Sequence, residues 1–411
     1  MKTLLTNANI FDGKNNKLQR NMNVLIEDNL IKQIFECSKL YDKKVDQTIN
    51  LNGKFLMPGL IDAHAHLSMA ELDINQDKLP ESYIWVNAGI ELTKILKRGF
   101  TTVRDAGGAD FGLKMAVEKG LLQGPRLFLS CKALTQTHGH GDLRNISEKE
   151  HMDSICRRSG STIAIICDGI SGVRKAAREQ LRKGATQIKI MASGGVASQT
   201  DKIDNLQFSI EEIEAVVEEA NNAGTYVMAH AYSPKAITRC VQLGVRSVEH
   251  GNLIDNSSAE IVKQYKAYVI PTLSIYDSLY RRGSKLGFPE KNIEKLNQVI
   301  KQSIKGLAIC RNHELNIGFG TDLLGELQND QCNEFELRSK AETPFQTLNS
   351  ATYVNAKLLQ MENKLGIIKK DAFADLIVVS GNPLKNISLF TENGKNILMI
   401  IKDGKIIKNE L

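Results

Sequence analysis

At 411 residues the chain exceeds the usual size of one domain; one α/β barrel of about 250 residues plus something smaller accounts for it. The formal charge of +6 comes from 53 basic and 47 acidic side chains scattered among one another, with no basic block and interleaved aromatics, which argues against a nucleic-acid partner. Seven cysteines without a C-x-x-C pair (Cys37, Cys131, Cys156, Cys167, Cys240, Cys310 and Cys332) read as reduced thiols of a cytoplasmic protein, not as a disulfide framework. The opening MKTLLTNANIFDGK is too short and interrupted for a signal peptide. No run of about 18 apolar residues occurs, so a soluble chain with no membrane partner is expected.

Residues 1–57 hold short alternating segments, KTLLTNANIF, NVLIEDNLIKQIFE and QTINLNGKFLMP, punctuated by Asp-Gly and Asn-Gly turns. The same style returns at the other end, over 368–411, in ADLIVVSGNPL and NILMIIKDGKIIKN. Two β-rich ends around a different middle predict one small β-sandwich domain built from both chain ends. Between them, residues 58–367 alternate apolar runs with helical patterns. The runs are GLIDAHAH, FTTVRDAG, RLFLSC, TQIKIMAS, YVMAHA, VRSVEHG, AYVIPTLS and NIGFGTD; the helical patterns include FGLKMAVEKGLL and IEEIEAVVEEANNAG. Repeated strand-then-helix units predict an α/β fold, a (β/α)8 TIM barrel, whose chemistry sits at the carboxyl ends of the strands.

Those strand ends carry His64 and His66, Lys189, His230, His250 and Asp322. Histidine and aspartate are ordinary ligands for divalent metals, and period-2 alternation puts His64 and His66 on one face and His230 with Tyr232 on another. A lysine between two isoleucines in a buried strand is costly unless neutralised or paired, so Lys189 is either functional or a salt-bridged barrel residue. Asp322 can also cap a following helix. The loop THGHGD after the third run places His138 and His140 where lids and substrate walls form, though exposed loop histidines are ordinary. Gly194 and Gly195 allow close backbone approach after the fourth run. Arg104, Arg144 and Arg157 are three candidates for a substrate carboxylate, and Tyr232 is either an oxyanion donor or a packed tyrosine.

The segment MPGLIDAHAH, the strand lysine, the later strand-end histidines, GTD and the closing GIIKKDAFADLIVV together resemble the amidohydrolase superfamily over essentially the whole chain. IKIMASGG, THGHGD and HAYSP are most similar to its zinc-dependent Xaa-Pro dipeptidase (prolidase) and carboxypeptidase-like members. The resemblance implies two divalent ions, most simply zinc. His64, His66 and Asp322 would hold one ion, and His230 and His250 the other. A carbamate on Lys189, formed with carbon dioxide, would bridge them. It further implies a metal-bridging hydroxide as nucleophile, Asp322 as general base and acid, and His140 and Tyr232 at the substrate carbonyl, with His138 an added contact. The expected substrates are dipeptides or N-acyl amino acids, and the expected assembly is a homo-oligomer. Deamination of a ring is a weaker fit, because Tyr232-Ser233-Pro234 after His230 lacks the glutamate that such enzymes carry. Cyclic-amide hydrolysis remains an alternative, and a non-catalytic scaffold is a minor one.

Overall fold

A computed structural model of the chain describes residues 1–39, 41, 43–72, 76, 79–144, 163–198 and 201–411; Cys156 and Arg157 lie outside them. Both chain ends contribute to one 8-stranded sheet. From the amino-terminal side come β1 (Lys2–Phe11), β2 (Leu18–Glu27), β3 (Leu30–Glu36), β4 (Gln47–Asn50) and β5 (Phe55–Pro58). NVLIEDNLIKQIFE is not one segment but a hairpin, turning at Asp28 with φ +54°. The ends meet where β5 pairs antiparallel with β16 (Leu376–Val379), Leu376 opposite Pro58. Beyond it lie β17 (Ile397–Lys402) and β18 (Lys405–Asn409).

The continuous apolar run Leu376–Val379 follows from burial on both faces. Leu376 and Val378 pack with Leu5, Ile10 and Leu56 inside the sandwich. Ile377 and Val379 point the other way, against Leu92, Leu96 and Phe100 of the barrel. Arg126 ties the two units further, donating to Asp375 and Asp403 and lying over the Phe373 ring.

The barrel wall runs β6 (Leu60–Ala65), β7 (Phe100–Asp105), β8 (Arg126–Leu129), β11 (Ile188–Met191), β12 (Val227–Ala231), β13 (Ser247–His250), β14 (Tyr268–Ile270) and β15 (Asn316–Ile317). Every sequence-predicted run has its strand. The sheet closes through Thr186 N–H to Leu129 O at 2.7 Å and Ala63 N–H to Phe319 O at 2.8 Å. After β8 the chain breaks at Cys131, φ +57°, and two unpredicted short strands follow, β9 (Ala133–Thr135) and β10 (Ala164–Ile166), paired beside β11.

Register explains the burial pattern. Ile188, Ile190, Val227, Ala229 and Val248 face outward into a core with Val173, Ile213, Val216, Ile237 and Val262 of the helices. The intervening residues fill the barrel in layers, with Lys189, Met228, Ser247 and Tyr268 on one level and Met191, His230, Glu249 and Ile270 on the next. The helices start where the sequence supplies caps: Ser209 and Glu212 form a capping box for Ile210–Asn222, and Asp110 caps Phe111–Glu118. Among the described residues no helix is long and apolar enough to cross a membrane. The six described cysteines are all free.

Candidate metal centre

At the carboxyl ends of the strands, His64, His66, His230, His250 and Asp322 converge. Ligand atoms of His64, His250 and Asp322 lie within 4.8 Å of one another. Asp322 Oδ1 stands 3.2 Å from His64 Nε2 and 3.1 Å from His66 Nε2, and its Oδ2 stands 3.8 Å from His250 Nδ1. On His64 and His66 the other ring nitrogen is held from outside, whereas on His250 the outside contact falls on the same Nδ1. His64 Nδ1 bonds Glu249 at 2.6 Å, His66 Nδ1 donates to Gly107 O at 2.9 Å, and His250 Nδ1 bonds Thr272 Oγ1 at 2.8 Å. Such outer contacts fix the tautomer and aim the opposite nitrogen, as around ligating histidines.

Two ligand candidates depend on left-handed backbone. Register pairs His250 with Ala231, which packs outward, so a regular strand would point His250 away from the mouth. A φ of +70° turns the chain there, and the ring instead lies against His64, His230 and Tyr232 at 5.0, 4.6 and 5.2 Å between centroids. Asp322 has φ +57° and donates its N–H to His64 O at 2.8 Å. It caps no helix; the next helical turn, Gly325–Asp330, begins from Leu324. Gly320 is required beside it, since a Cβ would sit 2.7 Å from that of His64.

A metal fits this arrangement on two observations. His64 Nε2 is buried with only the Asp322 carboxylate near it, 3.2 Å away and outside hydrogen-bond geometry, a costly state that a cation between the two would relieve. Burial also pushes His230 and His250 well below the ordinary imidazole range, into the neutral form that ligates. For Asp322 burial opposes ionisation, but His64, His66 and His250 outweigh it and hold the carboxyl well below its usual range. His230 is the exception in geometry: its Nε2 lies 3.2 Å from Gly194 O, so ligation through that nitrogen requires exchanging the contact.

Lys189 is 1% exposed, one layer below His230. Burial brings its ammonium down to about 8, with Glu249 and Asp322 opposing and Arg104 assisting. Among the described residues no carboxylate forms an ion pair with it, unlike a salt-bridged barrel lysine. Glu249 is engaged elsewhere, by Arg104 at 2.9 Å, His64 at 2.6 Å and Ser247 at 2.5 Å. Arg104 is therefore corrected from a substrate-carboxylate candidate to a barrel-floor residue, wholly buried and also bonded to Ala63 O at 2.6 Å. Arg144 donates twice to Asp142, each at 2.7 Å.

In the loop after the third strand, His138 is exposed with φ +62°, and its backbone N–H donates to Asp142 at 2.9 Å. His140 turns inward, stacking on His230 at 4.3 Å, with Nδ1 3.1 Å from Asp201 Oδ2 and its backbone N–H held by Gln207 at 2.8 Å. Both singled-out glycines are required. A Cβ on Gly194 would strike Lys202 O at 1.9 Å, and one on Gly195 would meet His140 Cε1 at 2.4 Å and His230 Nε2 at 2.7 Å. The Tyr232 hydroxyl bonds that of Tyr276 at 2.7 Å. Ser233 caps the helix Pro234–Gln242.

Glu249, Thr272, Tyr276, Asp201 and Gln207 were not read as site residues from the sequence. Glu249 carries a signal, since aligning the two strands puts it level with His230.

The Amidohydrolase family model matches residues 55–407. Among solved structures, a prolidase complexed with N-methylphosphonate-L-proline is 42% identical with a TM-score of 0.96, covering 100% of both chains. A Xaa-Pro dipeptidase with bound methionine is 29% identical with a TM-score of 0.88, again over 100% of both. Ochratoxinase of Aspergillus niger is 28% identical over 404 residues, 95% of this chain and 83% of that protein. The chain belongs to the Amidohydrolase family and is a metal-dependent hydrolase of carbon–nitrogen bonds.

Proposed function

We propose that the enzyme hydrolyses the amide bond of dipeptides or N-acyl amino acids and releases the C-terminal amino acid, with Xaa-Pro dipeptides as leading substrates. The observation that carries this reading is full-length likeness to a prolidase that holds a phosphonate derivative of proline. The ochratoxinase relative, likewise an amide hydrolase, keeps amides other than dipeptides within the reading.

His64, His66 and Asp322 would hold one divalent ion and His230 and His250 a second, with Lys189, as a carbamate, between them. Zinc is the first choice among ions that accept this donor set. Bound ions supply water made acidic enough to attack at neutral pH and polarise the scissile carbonyl. A carbamate turns a buried cation into an anion with two donor oxygens, and the depressed basicity of Lys189 favours the free amine that carbon dioxide needs. Asp322 would accept the proton of the attacking water and deliver it to the leaving nitrogen as the C–N bond breaks. His140 and Tyr232 would meet the substrate carbonyl or carboxylate, and His138 would stand at the entrance. A cytoplasmic homo-oligomer divided at 57/58 and 367/368 completes the proposal.

The test is product analysis of zinc-loaded protein on a library of dipeptides and N-acyl amino acids, following free amino acids and ammonia together. Amino acids without ammonia are expected. Ammonia alone would redirect the search to deamination, and a ring-opened product from cyclic amides would replace the peptidase reading.

A further inference from the structure

We propose that Lys295 is a positioning residue that holds His140 over the metal centre through Asp201. Lys295 lies on the helix Glu290–Asn312, roughly a hundred residues from the loop that it grips. Its Nζ donates to Gly195 O at 3.1 Å, Ser198 O at 2.9 Å and Asp201 O at 2.5 Å, and lies 3.3 Å from Asp201 Oδ1. An ammonium has three N–H groups, so these oxygens use all of them and leave none for a substrate carboxylate. From the same helix, buried Asn292 donates to Ala197 O at 2.9 Å.

Asp201 passes this grip on. Its buried carboxylate faces Lys295 with Oδ1, while Oδ2 accepts from His140 Nδ1 at 3.1 Å and from Gln207 Nε2 at 3.2 Å. Gln207 also holds the His140 backbone N–H, so the residue is fixed at ring and main chain together. With Nδ1 committed to Asp201, the ring presents its Cε1 and Nε2 edge to Gly195, beside His230. Removing Lys295 takes the cation from a buried carboxylate and one donor from each of three loop carbonyls, a combination that drives the loop to rearrange.

The inference rests on the reading of His140 as a substrate-facing residue, and the experiment separates the two. Kinetics on leucyl-proline are compared for wild type, Lys295→Met, His140→Gln and the double variant, together with hydrogen exchange of a peptide spanning 190–207. A misplaced His140 should lower kcat about 10- to 100-fold with KM within about threefold, because small misplacements at a reacting centre carry penalties of that size. In the His140→Gln background Lys295→Met should cost almost nothing more, and loop exchange should accelerate. Unchanged kcat, a rise confined to KM, or a full loss persisting in the double variant would each overturn the proposal. Should wild type leave leucyl-proline intact, the functional reading fails alone; unaltered loop exchange in Lys295→Met would then overturn this one. If Lys295→Met does not fold, Lys295→Gln takes its place in the same comparison.

Discussion

Lys189 is the residue on which the binuclear reading turns. It is buried, unpaired among the described carboxylates, and placed beneath His230, whereas Glu249 is satisfied by Arg104, His64 and Ser247. Lys189→Ala should remove most turnover, and short carboxylic acids added to the variant should restore part of it by standing in for the carbamate. Full activity of Lys189→Ala, measured on any substrate that the wild type cleaves, would end that reading. The convergence of His64, His66, His230, His250 and Asp322 was legible because histidine and aspartate at strand ends are chemically conspicuous. Their partners were not. Thr272, Tyr276 and Asp201 are ordinary residues until the closed barrel brings them beside His250, Tyr232 and His140, and Arg104 looked available only while its contact with Glu249 was unseen.

The helix Leu273–Arg282 shows how one element serves the site. Thr272, just before it, orients His250, and Tyr276 within it meets Tyr232. Its first turn is pinned by Glu334, whose Oε2 accepts from Ser274 N–H at 2.7 Å and Ser274 Oγ–H at 2.6 Å. Burial raises the Glu334 carboxyl from 4.5 to about 8, against the opposing pull of Arg338 and Ser274. The folded chain thus keeps a proton that the unfolded chain releases, and this group makes stability fall as pH rises between 4.5 and about 8. Glu334→Gln should remove that slope, on the order of 1 kcal/mol per pH unit, so its stability gains on wild type from acid to mildly alkaline pH. Urea unfolding midpoints across that range provide the check; parallel curves would contradict it. The strands themselves were legible from period and composition. β9 and β10 were not, because the left-handed turn at Cys131 that separates them from β8 uses a residue with no preference for it.

At the scale of the molecule, the barrel and the terminal sheet share one packed face, so the first barrel strand is anchored where it leaves the sandwich. Pro58 ends β5, and Gly59 leads at once into the strand bearing His64; a Cβ there would strike Thr101 at 2.1 Å. That joint was legible as two similar ends around a different middle, but its register was not, since pairing of β5 with β16 spans more than three hundred residues. The proposed binuclear centre at the barrel mouth carries a definite stoichiometry. Zinc added stepwise to metal-free protein, with bound metal and leucyl-proline turnover measured at each step, tests it directly. Turnover that rises to a plateau at two ions per chain is the expected result, whereas full activity at one ion, or activity untouched by chelation, would contradict the binuclear account.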